Sequence, residues 1–250
     1  MGGVIKMGRS LKYDIPGEDW RLSPMDFFAE SGAEADFSES SPSARLRSVE
    51  VPAHGLEHLF RKTLASPRRV VLEIGFGRGE FLLDLAQNDP ETAFLGVEVS
   101  FKRVLKLARK LARAELTNVR ILEARAENVV RDLIPPRSVD EVWINFSDPW
   151  PKARHENRRL IQPLFISDLS GCLKGGALLH VATDDVPYAE QIDQVLSDEK
   201  TLVSDHPGRG WLPEIPGRKH TGYETEWRQA GRSLHFFEYR RCPERSIEAT

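Results

Sequence analysis

The sequence predicts an α/β protein whose mostly parallel β-sheet is covered by helices on both faces and preceded by an N-terminal arm. Three observations support this prediction. From position 68 onward, short apolar runs alternate with segments whose apolar residues recur every three or four positions. Glycines or charged residues follow directly after several of these runs. The first 50 residues have a different composition, which is acidic and rich in serine.

The predicted strands and helices follow one another in a regular order. Apolar runs predict strands at residues 70–74, 93–97, 119–122, 142–146, 177–182 and 234–239. The segments between them predict helices at residues 80–87, 101–114, 127–133, 163–173 and 187–196. Repeated strand–helix units imply a parallel sheet. Ligands of such sheets bind at the carboxyl ends of the strands, near the point where the strand order reverses.

Composition limits the class of protein. Of the 250 residues, 40% are hydrophobic, which is enough for the core of one large domain. The formal net charge of −3 gives no general signal of nucleic-acid binding, so any surface for a polyanion must be local. The sequence has no run of 18 apolar residues that would predict a membrane span. Its two cysteines match no metal or redox spacing, and we expect a cytoplasmic protein.

Composition also divides the chain. We predict an N-terminal arm over residues 1–50, flexible or partly ordered, because its acidic and serine-rich stretches bury little apolar surface. A lead-in segment at 51–67 precedes the main domain at 68–242, and residues 243–250 form a C-terminal tail. The arm carries aromatic residues that are able to dock on the main domain, namely Trp20, Phe27, Phe28 and Phe37.

The turn after the first strand of the main domain has the features of a ligand-binding loop. Glu73 is followed by Gly75, Gly77 and Gly79, which let the backbone turn tightly and approach a ligand. Glu98 ends the next strand, where a carboxylate can accept hydrogen bonds from both hydroxyls of a ribose. A purely structural turn and an NAD site are alternatives, although the dinucleotide fingerprint has one more residue before its last glycine.

An acid before a G-x-G-x-G loop and an acid after the second strand resemble the class I S-adenosylmethionine-dependent methyltransferases, which have a Rossmann-like fold. The resemblance implies that the glycine loop holds the methionine part of the cofactor and that Glu98 holds its ribose. It also implies that the turn after the third strand flanks the adenine, through Arg125 or the backbone of Ala126. Arg125 stands where that class usually has Asp or Asn.

The most specific strings lie further along the chain. Asp148-Pro-Trp-Pro-Lys152 follows the fourth strand, with Arg154-His155 and Arg158-Arg159 behind it. Two later strings are Thr183-Asp184 with Tyr188, and Thr221-Gly-Tyr-Glu224. Together these strings closely resemble the signature of the bacterial tRNA (guanine-N7-)-methyltransferases, and the resemblance covers residues 68–240.

The resemblance implies transfer of a methyl group from S-adenosylmethionine to N7 of a guanine in the variable loop of tRNA. The products would be 7-methylguanosine and S-adenosylhomocysteine, without a metal. We expect tRNA as the partner of a monomer or homodimer, with no membrane and no DNA. The implied catalytic residue is Asp148, and the implied cofactor-binding residues are Glu73, Gly75, Gly77, Gly79, Glu98, Arg125, Ala126 and Asp148. The implied substrate-binding residues are Lys152, Arg154, Arg158, Arg159, Asp184, Thr221, Tyr223 and Glu224.

Elementary chemistry agrees with these roles. Guanine N7 has a lone pair and no proton, so methyl transfer to it depends on alignment and requires no general base. A carboxylate near N1–H and the exocyclic amine can orient the base and offset its growing positive charge, a role that we give to Asp148, helped by Asp184 and Glu224. The basic cluster after Asp148 can bind phosphates. The basic face of the 101–114 helix either extends that surface or is an ordinary solvated face.

One position departs from the pattern of this family. Glu226 stands where the family usually has a basic residue, and Arg218, Lys219 and Arg228 are candidates to supply that charge. Three other functions are weighed against the assignment: the same chemistry on another RNA or a protein amide, an NAD-dependent oxidoreductase, and a non-catalytic RNA-binding module. The sequence has no obvious residue pair for hydride transfer, and a binding module does not explain carboxylates at several strand ends.

Overall fold

The computed structural model describes residues 14–28 and 55–243. One eight-stranded sheet runs through it in the order β1-β4-β3-β2-β5-β6-β8-β7. The strands are β1 (Arg21–Leu22), β2 (Arg69–Ile74), β3 (Thr92–Glu98), β4 (Val119–Glu123), β5 (Val139–Asn145), β6 (Leu173–Thr183), β7 (Leu202–Ser204) and β8 (His235–Arg241). All neighbours are parallel except β8, which runs antiparallel to both β6 and β7.

Within the described residues, six α-helices connect the strands. They are α1 (Glu80–Asn88), α2 (Phe101–Arg113), α3 (Ala126–Asp132), α4 (Pro163–Cys172), α5 (Val186–Asp198) and α6 (Gly222–Gln229). Short 3-10 helices occupy Pro24–Phe28, Leu56–Phe60 and Ala153–Arg158. Among the residues that the structure describes, no helix is both long enough and apolar enough to span a bilayer.

The predicted α/β fold is confirmed, and every predicted strand and helix has a counterpart. Three elements were not predicted, because β1 and β7 are very short and because α6 buries only Glu224 among its eight residues. Strand β6 also begins earlier than predicted, at Leu173, where the helical pattern of α4 runs directly into it.

The order of the strands reverses between β2 and β5. From β2 the chain continues outward through β3 to β4, whereas β5, β6 and β8 lie on the other side. Ile74 pairs with Ile144, so the carboxyl ends of β2 and β5 lie side by side. Neighbouring parallel strands that lead to opposite sides leave a crevice at their carboxyl ends, and this crevice is where a ligand is expected.

Both faces of the sheet are buried. Val70 and Leu72 belong to one apolar cluster, and Val71 belongs to another that packs around Phe94, Leu107 and Trp143. Since successive side chains of a strand point to opposite faces, one strand contributes to both layers. Burial on two sides explains why β2 and β3 are continuous apolar runs with no alternating polar positions.

The N-terminal segment 14–28 is part of the sheet. Strand β1 pairs with β4 at the sheet edge, and Phe27 and Phe28 pack on the apolar core. The buried guanidinium of Arg120 lies 4.1 Å from the ring of Trp20 and 4.9 Å from that of Phe60. Burial without a carboxylate lowers the pKa of Arg120 to about 10. Trp20, Phe27 and Phe28 thus dock on the main domain, while Phe37 lies outside the described residues.

Candidate active site

The glycine loop after β2 has a backbone that other residues rarely adopt. Gly75, Gly77 and Gly79 have φ angles of 74°, 55° and 70°. A Cβ atom on Gly75 would meet nothing within 4 Å, so the backbone there faces open space. A Cβ on Gly79 would instead come within 2.6 Å of the Leu107 side chain. The first two glycines therefore leave room for a ligand, and the third lets α1 pack against α2.

Glu98 holds this loop from behind. Its Oε2 accepts a hydrogen bond from the Gly77 N–H at 3.0 Å, and its Oε1 accepts one from the Ser100 N–H at 3.0 Å. The guanidinium of Arg103 lies 3.4 Å from the same carboxylate. Glu98 is buried and is not part of the cavity wall. Its contribution in this structure is therefore to fix the glycine loop.

A cavity of about 300 Å³ opens where β2 and β5 end. The glycine loop forms one wall, and the start of α6 forms the opposite wall. Arg103 reaches the mouth of this cavity from α2. The residues that line it are Glu73, Gly75, Phe76, Gly77, Arg78, Gly79, Glu80, Phe81, Arg103, Asn145, Phe146, Thr221, Gly222 and Tyr223.

Two buried side chains at this cavity each have one polar atom that makes no hydrogen bond. Neither Glu73 Oε2 nor Asn145 Nδ2 has a hydrogen-bond partner, although both atoms are buried. Burial raises the pKa of Glu73 to about 8, the nearby Asn145 amide partly offsets that rise, and the Glu98 charge adds to it. A buried acid that pairs with no cation among the described residues fits a ligand that brings an ammonium group, such as the methionine end of S-adenosylmethionine.

Asn145 is a site residue that the sequence analysis missed. It ends the apolar strand β5, and its Oδ1 accepts a 2.5 Å hydrogen bond from Arg218. Arg218 is buried and pairs with Glu224 at 2.7 Å. Arg218 and Glu224 together turn the Asn145 amide toward the cavity. The available signal was one polar residue at the last position of a strand beside the switch point.

The start of α6 forms the wall opposite the glycine loop. Thr221 caps this helix, because its Oγ1 accepts from the Glu224 N–H at 3.0 Å. The Tyr223 ring is 38% exposed and lies 4.8 Å from the Phe146 ring. Its hydroxyl is 3.5 Å from Asp184 Oδ2. Thr221 and Tyr223 thus reach the cavity, whereas Glu224 is 1% exposed and lies behind the wall.

Asp184 follows β6 and is held by a cation. Its Oδ2 pairs with Arg232 at 2.9 Å. The Arg232 guanidinium in turn lies 3.5 Å from the ring of Trp227. The sequence analysis did not select Arg232, because it lies outside every motif. Asp184 and Tyr223 are brought together as neighbours, and the arrangement gives a carboxylate that is 11% exposed beside an aromatic ring.

Asp148 lies on an exposed loop directly after β5. Its Oδ1 accepts from the Trp150 N–H at 3.1 Å. Phe146 and Trp150 on either side have φ angles of 53° and 43°, which aromatic residues seldom adopt. Each such residue costs about 1–3 kcal/mol and persists only when its surroundings hold it there. Asp148 itself is not among the residues that line the cavity.

The basic cluster divides into exposed and buried members. Lys152, Arg154 and Arg158 are exposed, and the Arg158 guanidinium lies 5.1 Å from the Trp150 ring. His155 contacts the edge of the same ring and accepts from Arg154 Nε at 3.3 Å. Arg159 differs from these, because it is buried and bonded within the protein. Of the four cations in this cluster, Lys152, Arg154 and Arg158 are therefore accessible to phosphates from solvent, and Arg159 is not.

The turn expected to flank adenine lies at the start of α3. Arg125 is exposed and pairs with Glu127 at 2.8 Å, while Ala126 packs partly against the core. Neither residue lines the cavity. Within residues 14–28 and 55–243, no group of three or more His, Cys, Asp or Glu side chains is arranged to hold a metal.

This combination of fold and site is that of a class I S-adenosylmethionine-dependent methyltransferase. A solved structure of the 16S rRNA methyltransferase KamB has the same fold. Its TM-score is 0.56 at 17% identity, over 76% of this chain and 95% of that one.

Sequence comparison defines the group more narrowly. A family model described as "Putative methyltransferase" matches residues 67–237. The tRNA (guanine-N(7)-)-methyltransferase of Halorhodospira halophila is 39% identical over 199 residues, which are 78% of this chain and 84% of that protein. The protein of the same name from Streptomyces avermitilis is 36% identical over 197 residues, or 79% and 67% of the two chains. The chain belongs to the tRNA (guanine-N7-)-methyltransferase family.

Proposed function

We propose that this protein transfers a methyl group from S-adenosylmethionine to N7 of a guanine in the variable loop of tRNA, forming 7-methylguanosine. The observation that carries the proposal is the position of β5. Its last residue, Asn145, faces the cavity, and the chain then continues through Phe146 into the exposed Asp148 loop with its cations. A cofactor site and a polyanion surface thus meet at one strand end, in a chain that belongs to this family.

The cavity wall supplies what the cofactor needs. S-adenosylmethionine supplies a methyl group on a sulfonium. Glu73 would bind the ammonium of its methionine end, with Gly75 and Gly77 in backbone contact and Gly79 keeping the loop close. Glu98 would accept from the ribose while it holds the loop. At the start of α3, Ala126 or Arg125 would contact the adenine. Burial of the ammonium beside Glu73 would restore the charge of that carboxylate.

Carboxylates on two loops would bind the guanine. Asp148 would accept from N1–H and the exocyclic amine, and it would also lie beside the reacting methyl group. Asp184 would assist from β6, and Tyr223 offers an exposed ring for the base. Thr221 would contact the nucleotide from the cavity wall, whereas Glu224 would act through Arg218 and Asn145. These side chains align N7 with the methyl carbon and offset the positive charge that develops on the base.

Two cationic surfaces would bind the tRNA backbone. Lys152, Arg154 and Arg158 flank Asp148 and would contact phosphates next to the target. Helix α2 adds a second surface, because no acid lies between Phe101 and Arg113 and because Arg103 reaches the cavity mouth. The exposed cations of that helix are Lys102, Arg103, Lys106 and Arg113. We further propose that the enzyme works on tRNA in the cytoplasm as a monomer or homodimer, and that it requires no metal and no DNA.

The test uses purified protein, unmodified bulk tRNA and S-adenosylmethionine with a labelled methyl group. The RNA is digested and its nucleosides are identified by mass spectrometry. We expect label in 7-methylguanosine from the wild type and a loss of about 100-fold or more in the Asp148→Ala variant, because a charge aimed at the reacting base is removed.

A matched control comes from α5. Asp198 is also exposed, and its carboxylate accepts from Gln194, four residues away in the same helix, and from no other residue in the described part of the chain. The Asp198→Ala variant should therefore methylate tRNA as the wild type does. Label in another nucleoside, or full activity of the Asp148→Ala variant, would contradict the proposal. Failure with tRNA despite binding of S-adenosylhomocysteine would point to a different acceptor.

A further inference from the structure

The loop that carries Asp148 is held at both ends by one helix. It leaves the sheet after Asn145 and returns to the core at Ile161. The Tyr188 hydroxyl, on α5, accepts from the Ile161 N–H at 3.1 Å. The same hydroxyl lies 3.2 Å from Ser147 Oγ at the other end of the loop. Tyr188 is completely buried, so this connection is shielded from water.

Arg159 makes a second connection across the loop. Its Nε donates to the Pro149 carbonyl at 2.8 Å, and its Nη1 donates to Gln191 Oε1 at 2.7 Å. Gln191 Nε2 donates in turn to the Ile161 carbonyl at 2.8 Å. The guanidinium also lies 5.3 Å from the Tyr188 ring. Arg159, Gln191 and Tyr188 thus form one connected set of contacts, which we call the loop clamp.

The loop clamp contacts the backbone next to Trp150, one of the two residues of the loop with a positive φ angle. The carbonyl that Arg159 binds belongs to Pro149, the residue between Asp148 and Trp150. Trp150 has the positive φ angle, and its N–H donates to the Asp148 carboxylate. A hydrogen bond to that peptide group therefore fixes both the unusual backbone of Trp150 and the direction of the Asp148 side chain.

Burial separates Arg159 from its neighbour Arg158. The side chain of Arg159 is 4% exposed, and the nearest acid, Glu156, lies 3.7 Å from its Nη1. Arg158 is exposed and lies over the Trp150 ring. A cation enclosed by protein acceptors is poorly placed to bind a phosphate from solvent, which revises the substrate-binding role first expected for Arg159.

We propose that Arg159 and Gln191 are positioning residues, which set the place of Asp148 for methyl transfer instead of binding tRNA. The inference rests on the proposed function, since Asp148 is the carboxylate that would meet the guanine. A displacement of about 1 Å at a reacting group can lower a rate about 100-fold. Loss of the clamp should therefore lower kcat much more than it raises KM for tRNA.

The test compares three single variants, Arg159→Gln, Gln191→Leu and Arg158→Gln, in steady-state methylation of tRNA at several salt concentrations. We expect the two clamp variants to lower kcat about 10- to 100-fold and to keep the wild-type dependence of log KM on log salt. Arg158→Gln should reduce that salt slope by about 1, since one phosphate contact is lost. Gln191→Leu is the sharpest variant, because it removes a contact of the clamp and leaves the charge of Arg159 in place, so a phosphate-binding role of Arg159 would survive it.

Hydrogen exchange on the protein without tRNA gives an independent measurement. Amides of residues 146–161 should exchange faster in Gln191→Leu than in the wild type, while those of β2 and β3 stay protected. Unchanged exchange, an unchanged kcat in Gln191→Leu, or a salt slope that falls in Arg159→Gln as in Arg158→Gln would overturn the proposal. If Arg159→Gln does not fold, the kcat and the hydrogen exchange of Gln191→Leu are sufficient to test the proposal. A wild type inactive on tRNA would refute the proposed function, and the exchange data would still decide whether the clamp orders the loop.

Discussion

At the scale of single residues, the site depends on polar groups that the fold buries and leaves without protein partners. Glu73 and Asn145 are the two cases at the cavity. Leaving a buried donor or acceptor unsatisfied costs about 1–3 kcal/mol, so such groups indicate a missing ligand more strongly than an exposed side chain does. The Glu73 carboxyl is complementary to a cation and the Asn145 amide N–H to an acceptor. The two ends of an amino acid offer that combination.

The raised pKa of Glu73 makes a prediction about pH and stability. Between its ordinary value of 4.5 and about 8, the folded protein keeps the Glu73 proton while the unfolded chain has lost it. Stability from this residue therefore falls as pH rises through that window. The neutral Glu73→Gln variant should melt at a higher temperature than the wild type at pH 8, with a smaller difference at pH 5. A wild type that melts at the same temperature as the Glu73→Gln variant at pH 8, or at a higher one, would contradict the raised pKa of Glu73.

Binding of the cofactor product should reveal the same proton. When the ammonium group of the ligand binds Glu73, the Glu73 carboxyl loses its proton. About one proton is therefore released per S-adenosylhomocysteine bound near pH 7. Calorimetry in two buffers of different ionisation enthalpy measures that number. The Glu73→Gln variant should release none and should bind about 10-fold or more weakly, because it loses a hydrogen bond to a charged group. Binding by that variant at wild-type affinity would remove Glu73 from the cofactor site.

At the scale of elements, α6 closes the cavity and its attachment to the glycine loop is electrostatic. Glu226 on α6 pairs with Arg78 of the glycine loop at 2.8 Å, and Lys219 pairs with Asp84 of α1. A Cβ on Gly222 would lie 3.3 Å from Glu80, so the helix begins close to α1. This explains the acid at position 226. Of the three candidates to replace the basic residue at position 226, Arg218 and Arg228 pair with Glu224 at 2.7 and 3.2 Å, whereas Lys219 pairs with Asp84.

Reversal of the Arg78–Glu226 pair tests that attachment. The Arg78→Glu variant places three acids together, with Glu226 and Glu80, so α6 should move away from the loop. We expect affinity for S-adenosylhomocysteine to fall about two- to fivefold, an effect that high salt reduces. Adding Glu226→Arg should restore binding. The pair Arg21–Asp19, which is confined to β1 and its approach, serves as the control for a general effect of charge. Failure of the double variant to recover would refute the attachment.

Sequence patterns predicted some helices and strands well and others poorly. The period of α2 and the apolar runs of β2 and β3 are strong signals because burial dictates every second or fourth residue. Helix α6 gave no such signal, since seven of its eight residues are not buried and its contacts are with residues distant in sequence, such as Arg78 and Phe146. Its motif was nevertheless visible through Thr221 and Tyr223. Contacts between elements far apart in sequence, such as Arg218 with Asn145, were not predictable from local pattern.

At the scale of the whole molecule, topology collects the chemistry at one edge of the sheet. Glu73 and Asn145 lie at the carboxyl ends of β2 and β5, and Asp184 directly follows β6. These three strands are neighbours, and their carboxyl ends point the same way. That convergence was predictable from the alternation of strands and helices. What the sequence did not reveal is that the two adjacent arginines after Asp148 have different surroundings. Arg159 turns into the protein and Arg158 turns out, because α5 offers Gln191 and Tyr188 on one side only.

Charge is also distributed unevenly over the molecule. The chain carries 35 basic and 38 acidic residues, yet α2 has no acid among its cations. In the Asp148 loop, the exposed cations Lys152, Arg154 and Arg158 outnumber the acids Asp148 and Glu156. Local cationic surfaces on a chain of negative net charge favour binding of a polyanion in one orientation over general attraction to nucleic acids. The cavity adjoins both surfaces, because Arg103 of α2 lines it and Asn145, which also lines it, leads into the Asp148 loop.

The most direct test of the central claim replaces the acceptor atom itself. A tRNA is assembled by ligation with 7-deazaguanosine at the guanines of the variable loop, where a C–H group takes the place of N7. The wild-type protein should transfer about one methyl group to the ordinary tRNA and none to the substituted one, which should still compete for binding since its phosphates are unchanged. Methylation of the substituted tRNA at the same rate would contradict the account, because the acceptor would then be an atom other than guanine N7 of the variable loop.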